Sequence, residues 1–262
     1  MLRKNLIQAA GAVAVSVLVT ACGPQIDNST SELAPLQPSQ QIALSEVISS
    51  QLAPVTLAGK EYLLLASEKR GLVLTDLEGQ EQLALDGGSV ERFALQALAE
   101  NEWLIAVYDE DSSELQLRLL DMDAEAAAPR LRYLGTMATD APQVAMCFSR
   151  QAGRTHLFSV DENGLGHEYV VHPREDAWQF TGVRPLYFGE QVSSCVVDDR
   201  NGKLLVAQPP LGIWRLNADA EMDEEREVFA APADLAEKEF GGLWLDNASG
   251  NLWLTAGQKV VA

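Results

Sequence analysis

An all-β fold, a β-propeller of four-stranded blades, is what this sequence predicts, on three observations. One template recurs at a fixed period: an apolar run, a polar turn with glycine, and a second apolar run. Copies begin at Cys147 (CFSRQAGRTHLFSV), Cys195 (CVVDDRNGKLLVA) and Leu243 (LWLDNASGNLWLTA), each 48 residues after the last, with Gly153, Gly202 and Gly250 in the turns. Each unit also reads as four short strands, and four strands in roughly 40–50 residues is the unit of a propeller blade. Helical periodicity is weak throughout; only 218–240 has a helix-tolerant composition, and it reads as a loop insertion. A sandwich of the same strands requires no fixed period, so the period decides for the propeller.

Taken in order, weaker copies of the template start at Ala53 (APVTLAGKEYLLLAS) and Leu95 (LQALAENEWLIAVY), so the five starts are spaced 42, 52, 48 and 48. A third run follows each pair: GLVLTDL at 71–77, LQLRLLDM at 115–122, GHEYVVH at 166–172 and GIWRLN at 212–217. A fourth follows in most units, as in LRYLG, VRPLYF and REVFA. About five blades are thus visible. The last is incomplete, stopping two strands in at LWLTAGQKVVA, and residues 41–50 (QIALSEVISS) are expected to supply it an outer strand. A propeller closes its ring or leaves strand edges exposed.

The N-terminus belongs to a different problem. MLRKN is a basic head, LIQAAGAVAVSVLVTA an uncharged apolar run, and Val-Thr-Ala precedes Cys22. That is a secretory signal over 1–21, and its end resembles the bacterial lipoprotein lipobox, which would make Cys22 the lipidated first residue. Residues 22–44, rich in Pro, Ser and Gln, read as a disordered tether, and 45–262 as the propeller domain. Gly23 after the cysteine resembles an outer-membrane address. The expected location is therefore the bacterial cell envelope, lipid-anchored, facing periplasm or surface.

The chain has 19 basic and 38 acidic residues, a net charge of −19. Removing Arg3 and Lys4 with the signal makes the remainder more acidic still. Such a surface repels nucleic acid, which is excluded as a partner. Cys147 and Cys195 could pair in an envelope compartment, but their matching places in two repeats favour two small apolar residues in buried strands.

With the blades in place, QVSSCVVDDRNGKLLVAQPPLGIWRL at 191–216 is similar to a segment of the β-propeller phytases, roughly Q-x-E-G-C-V-x-D-D-x-x-G-x-L-Y-x-A-E-E-x-x-G-I-W-x-Y. SEKRGLVLTDLEGQEQ at 67–82 resembles that family's K-x-G-L-x-V-Y-D-L-x-G-K segment, and FGGLWLDNASGNLWLTA at 240–256 resembles its I-E-G-L-x-x-Y-x-x-x-G-x-G-Y-L-x-x-S segment. The resemblance spans about residues 45–260. It implies a six-bladed propeller with calcium ions at the top of the channel, a ring of carboxylates holding them, and hydrolysis of phytate, a phosphomonoester. Calcium takes six to eight oxygen ligands and neutralises charge on the transferring group.

The departures fall on the ligands. The family's Glu positions are Ser193, Gln208, Pro209 and Gly241 here, its metal-binding Tyr corresponds to Gln143, and its D-D-P-A segment has no counterpart. No metal or other cofactor is therefore expected, and no catalytic residue is assigned. Lys69 and Arg70 stand where the family places a phosphate-binding Lys, and Arg92 matches its arginine, so these three are the candidate anion-binding residues. Asp198-Asp199 read as a turn. Three histidines (His156, His167, His172) are too few and too badly spaced for zinc, and the acidic runs DEDSSE and DAEMDEEREVF lack the pattern of a calcium loop. Three functions remain. The first is a degenerate phytase-like scaffold that supports an intact phytase domain or chain, by docking or weak phytate capture. The others are an active phosphatase of altered mechanism and a general envelope propeller that binds another protein.

Overall fold

A computed structural model describes residues 49–261 apart from 86–87, 176, 190–191, 224, 232–240, 247–249 and 257–258, and also Ala12–Val13 and Ile42–Ala43. The two dipeptides, β1 and β2, pair antiparallel with each other. Ile42–Ala43 therefore does not add an outer strand to the last blade, as 41–50 was expected to do. Cys22, most of the leader and most of the tether lie outside the described residues.

Four four-stranded antiparallel sheets follow, each a meander in chain order, set side by side as the blades of a β-propeller. Blade 1 comprises β3 (Gln51–Leu57), β4 (Lys60–Ser67), β5 (Gly71–Asp76) and β6 (Glu81–Ala84). Blade 2 comprises β7 (Val90–Ala99), β8 (Glu102–Asp109), β9 (Glu114–Asp123) and β10 (Ala128–Ala138). Blade 3 comprises β11 (Gln143–Gln151), β12 (Arg154–Asp161), β13 (Leu165–Arg174) and β14 (Ala177–Tyr187). Blade 4 comprises β15 (Ser194–Asp198), β16 (Lys203–Gln208), β17 (Gly212–Asn217) and β18 (Glu227–Ala230). A fifth, three-stranded sheet holds β19 (Leu243–Leu245), β20 (Leu252–Ala256) and β21 (Lys259–Val261). It reaches one strand further than the apolar pattern predicts, because Lys259–Val261 turns back to pair with β20.

Burial explains the run lengths. Middle strand β5 is buried along its whole length, so it reads as a near-continuous apolar run rather than an alternating one. The outermost strands β10, β14 and β18 are largely exposed and lose that pattern. The repeat glycines have a backbone reason: Gly153, Gly202 and Gly250 adopt φ of 77°, 62° and 81°, a left-handed conformation that costs glycine little.

Between successive blades lies one apolar cluster each. Leu64, Leu74, Phe93 and Ile105 join blades 1 and 2; Leu104, Leu117, Phe148 and Leu157 join 2 and 3; Phe158, Val160, Val206 and Leu216 join 3 and 4; Leu205, Ile213 and Leu254 join 4 to the fifth sheet. The first strands line the inside, with β7 packed on β11, β11 on β15 and β15 on β19.

There the cysteine expectation is corrected. Cys147 on β11 and Cys195 on β15 do occupy matching buried strands, but they form a disulfide, with their Cα atoms 5.7 Å apart. One full period separates them, so the repeat itself sets them at the same level of adjacent first strands, inside the range a disulfide spans.

Candidate functional site

Meander topology gathers every candidate position at one end of the propeller. First strands begin there, second strands end there, and the turns between second and third strands lie there. Gln143 opens β11; Ser193 precedes β15; Gly241 precedes β19; Gln208 closes β16; Pro209 follows it; Lys69 and Arg70 form the β4–β5 turn; Arg92 is two residues into β7. The resemblance therefore assigned these residues to a common end.

What they do there is structural. The Ser193 and Ser194 hydroxyls donate to the Gly241 carbonyl at 2.9 and 3.0 Å, and Ser194 Oγ accepts from the Leu243 amide at 2.8 Å. These bonds tie blade 4 to the fifth sheet. Gln208 is buried, 3% exposed, and its amide donates to the Phe188 carbonyl at 2.8 Å, bridging the end of blade 3 to blade 4. Gln143 Nε2 donates to the Ala141 carbonyl at 2.8 Å, and its Oε1 accepts from Ser159 Oγ. The peptide joining Pro209 to Pro210 is cis, in the turn that carries Leu211 N–H back to the Gln208 carbonyl at 2.7 Å.

Calcium does not fit this set. It needs several charged oxygens converging on one point, and these positions offer neutral groups already bonded to neighbours. Among the described residues no group of three or more His, Cys, Asp or Glu side chains is arranged to hold a metal ion.

The basic residues are divided by their surroundings. Arg70 Nη2 donates to both oxygens of the Glu81 carboxylate, at 3.0 and 2.9 Å. Lys69 is exposed in its turn, its amide 3.4 Å from Ser67 Oγ. Arg92 neighbours Glu91, whose carboxyl is held above the usual carboxylate range by burial and by the charges of Glu110 and Glu68. A negative group so close to Arg92 opposes capture of a phosphate.

Polar devices that sequence reasoning missed lie between blades 3 and 4. Glu168 is fully buried, with His156 Nδ1 and Arg184 Nε each 2.7 Å from its oxygens. Arg184 continues to the Asn217 and Ala218 carbonyls of blade 4 at 2.9 and 3.1 Å, and Gln151 reaches the same Ala218 carbonyl at 3.0 Å. A signal existed. The fourth position of the third strand is Leu74, Leu117, Glu168 and Arg215 in successive blades, so Glu168 is a charge where earlier repeats are apolar. Asp198 does form the expected turn, accepting from the Arg200 and Asn201 amides. Asp199 goes further, accepting from Ser149 Oγ at 2.8 Å and the Arg150 amide at 3.0 Å across the seam.

No protein-family model matches the chain, and no curated protein matches it. Solved structures do. BBS1N, crystallised in complex with ARL6DN, is similar with a TM-score of 0.56 at 15% identity over 86% of this chain and 68% of that one. A structural-genomics protein of unknown function from Bacteroides thetaiotaomicron is similar with a TM-score of 0.58 at 10% identity, covering 81% of this chain and 54% of that one. The fold is a β-propeller. At these identities the likeness carries the fold and nothing finer.

Proposed function

We propose that this chain is a non-catalytic, phytase-like propeller, lipid-anchored in a bacterial envelope, that works by docking a protein partner, with an intact phytase domain as the first candidate. One observation carries the reading: the positions where the phytase pattern needs calcium ligands hold Ser193, Gln208, Gly241 and Gln143, whose polar atoms serve hydrogen bonds of the fold. The Cys147–Cys195 disulfide supports an oxidising compartment, as the lipobox-like Cys22 does independently. A propeller neighbour crystallised with a protein partner supports docking as a role this fold can perform. Against the alternative of an active phosphatase, the described residues include no group of His, Cys, Asp or Glu arranged to hold a metal ion, which leaves Lys69 and Arg92 as binding charge alone.

Phosphate release from phytate tests this, measured on the full chain with calcium, with chelator, and with Lys69→Ala/Arg92→Ala. The expected result is no turnover in any condition. Calcium-dependent turnover lost in the double variant would establish an enzyme and end the scaffold reading. Co-purification with an intact phytase from the same cells then separates that partner from another envelope protein.

A further inference from the structure

We propose that Asn201 is a site of spontaneous covalent modification: its side chain closes on the Gly202 amide, converts to aspartate or isoaspartate, and thereby loosens the seam between blades 3 and 4. The only co-reactant is water.

The chain has two Asn-Gly pairs, Asn163-Gly164 and Asn201-Gly202. Glycine carries no side chain to hinder attack by its own nitrogen on the preceding side chain, so both pairs are chemically competent. The fold separates them. Gly164 is buried, its N–H donates to the Asp161 carbonyl at 3.0 Å, and its backbone lies so close to the next loop that an added Cβ would run into the Gly189 carbonyl. Gly202 sits in the β15–β16 turn, where an added Cβ would meet nothing within 4 Å, and its N–H has no hydrogen-bond partner among the described residues. Asn201 is exposed, and so is the bond from its Nδ2 to Asp198 Oδ2, at 2.6 Å. Water replaces an exposed bond at little cost. A buried N–H that must first give up its acceptor slows closure at Gly164 by about ten-fold or more.

Gly202 N bonds to Asn201 Cγ as the Cγ–Nδ2 bond breaks. The Gly202 amide proton leaves with Nδ2 as ammonia, and a cyclic succinimide remains. Water then adds to one of its carbonyls. Opening on one side gives aspartate; opening on the other gives isoaspartate, whose main chain runs through the former side chain and is longer by a carbon. Either product puts a carboxylate where Asn201 Nδ2 had donated to Asp198, and like charges at that distance repel. The place matters because the same turn ties two blades together. Asp199 accepts from Ser149 Oγ at 2.8 Å and from the Arg150 amide at 3.0 Å across the seam, while Asp198 holds the turn through the Arg200 and Asn201 amides at 3.1 and 3.3 Å. Repulsion at Asp198 and a lengthened main chain both shift the turn that sets Asp199.

Timed peptide mapping by mass spectrometry, on the full chain held folded at mildly alkaline pH, tests this. The Asn201 peptide is expected to exchange its amide for a carboxylate, with isoaspartate among the products, about ten-fold or more ahead of the Asn163 peptide. In denaturant, where both glycine amides are free, the two rates should converge. Asn201→Ser, which has no side-chain amide to lose, should keep the charge of the folded chain constant over the same interval. Ion exchange separates the modified chain by its added negative charge. Its hydrogen exchange should rise at the Arg150 amide and in β15, while β7 and β8 keep their protection. An unmodified Asn201, conversion of Asn163 at the same rate in the folded chain, a difference that persists in denaturant, or a modified chain with an undisturbed seam would each overturn the proposal.

Discussion

Blade 3 meets its two neighbours through seams of different chemistry. Towards blade 4 the apolar cluster is reinforced by the Cys147–Cys195 disulfide, by Asp199 reaching back to Ser149 and Arg150, and by the His156–Glu168–Arg184 network with its bonds to Asn217 and Ala218. Towards blade 2 the cluster is apolar, built from Leu104, Leu117, Met146, Phe148 and Leu157. Dispersion and burial are not directional, so an apolar seam fixes proximity without fixing every angle. A fully paired buried network fixes geometry, at the risk that losing one member strands the others. One seam is therefore locked by directional bonds, and the other is held by apolar packing.

Single truncations should cost most on either side of blade 3, for different reasons. Phe148→Ala is expected to destabilise by about 3–5 kcal/mol through lost burial and a cavity. Glu168→Ala should cost about 3–5 kcal/mol because Arg184 stays buried without its partner. Denaturant unfolding checks both. Replacing Glu168 and Arg184 together by Leu should recover much of the second loss and none of the first. A mild Glu168→Ala would mean that the network does not hold the seam.

Removing the disulfide with Cys147→Ala/Cys195→Ala should cost about 2–4 kcal/mol. Hydrogen exchange should then rise in β15 and β16 before it rises in β7 and β8; a uniform rise would erase the distinction between the seams. Asp199→Ala, which takes the acceptor from the buried Ser149 hydroxyl and the Arg150 amide, should cost about 1–2 kcal/mol by the same unfolding measurement.

The smallest effect sharpens the contrast by pH. Blade 2 also carries charge, but on its outer strands. Burial alone would push the Asp121 carboxyl up, yet bonds from Arg130 and Arg132 hold it below the usual Asp range. A depressed carboxylate contributes stability that is present above its unfolded pKa and is lost as pH falls through the folded value. The arginines are 44% exposed, so the contribution should stay below about 1 kcal/mol. Asp121→Asn should flatten this acid limb in a pH series of unfolding midpoints, and an unchanged limb would place the acid sensitivity elsewhere.

Much of the architecture was legible in the chain because a period of 48 is geometric information. It located the first two strands of the later blades and, through Gly153, Gly202 and Gly250, the turns that need a left-handed backbone. The same period set Cys147 and Cys195 at one level. Whether two such thiols bond depends on how close adjacent first strands lie, and spacing along the chain does not give that. The phytase-like pattern located Ser193, Gln208 and Gly241 at one end, but the partners of their polar atoms emerged only from the packing. Glu168 was passed over because a charge in an amphipathic strand reads as facing solvent.

The account stands most directly on whether the Ser193–Gly241 end binds calcium. Isothermal titration of calcium into the chelator-stripped full chain measures it. Heat no larger than dilution, with no rise in melting temperature, is the predicted result for an end closed by Ser193, Ser194, Gln208 and Gly241. Saturable stoichiometric binding, reversed by chelator, would contradict it and restore a metal site to this propeller.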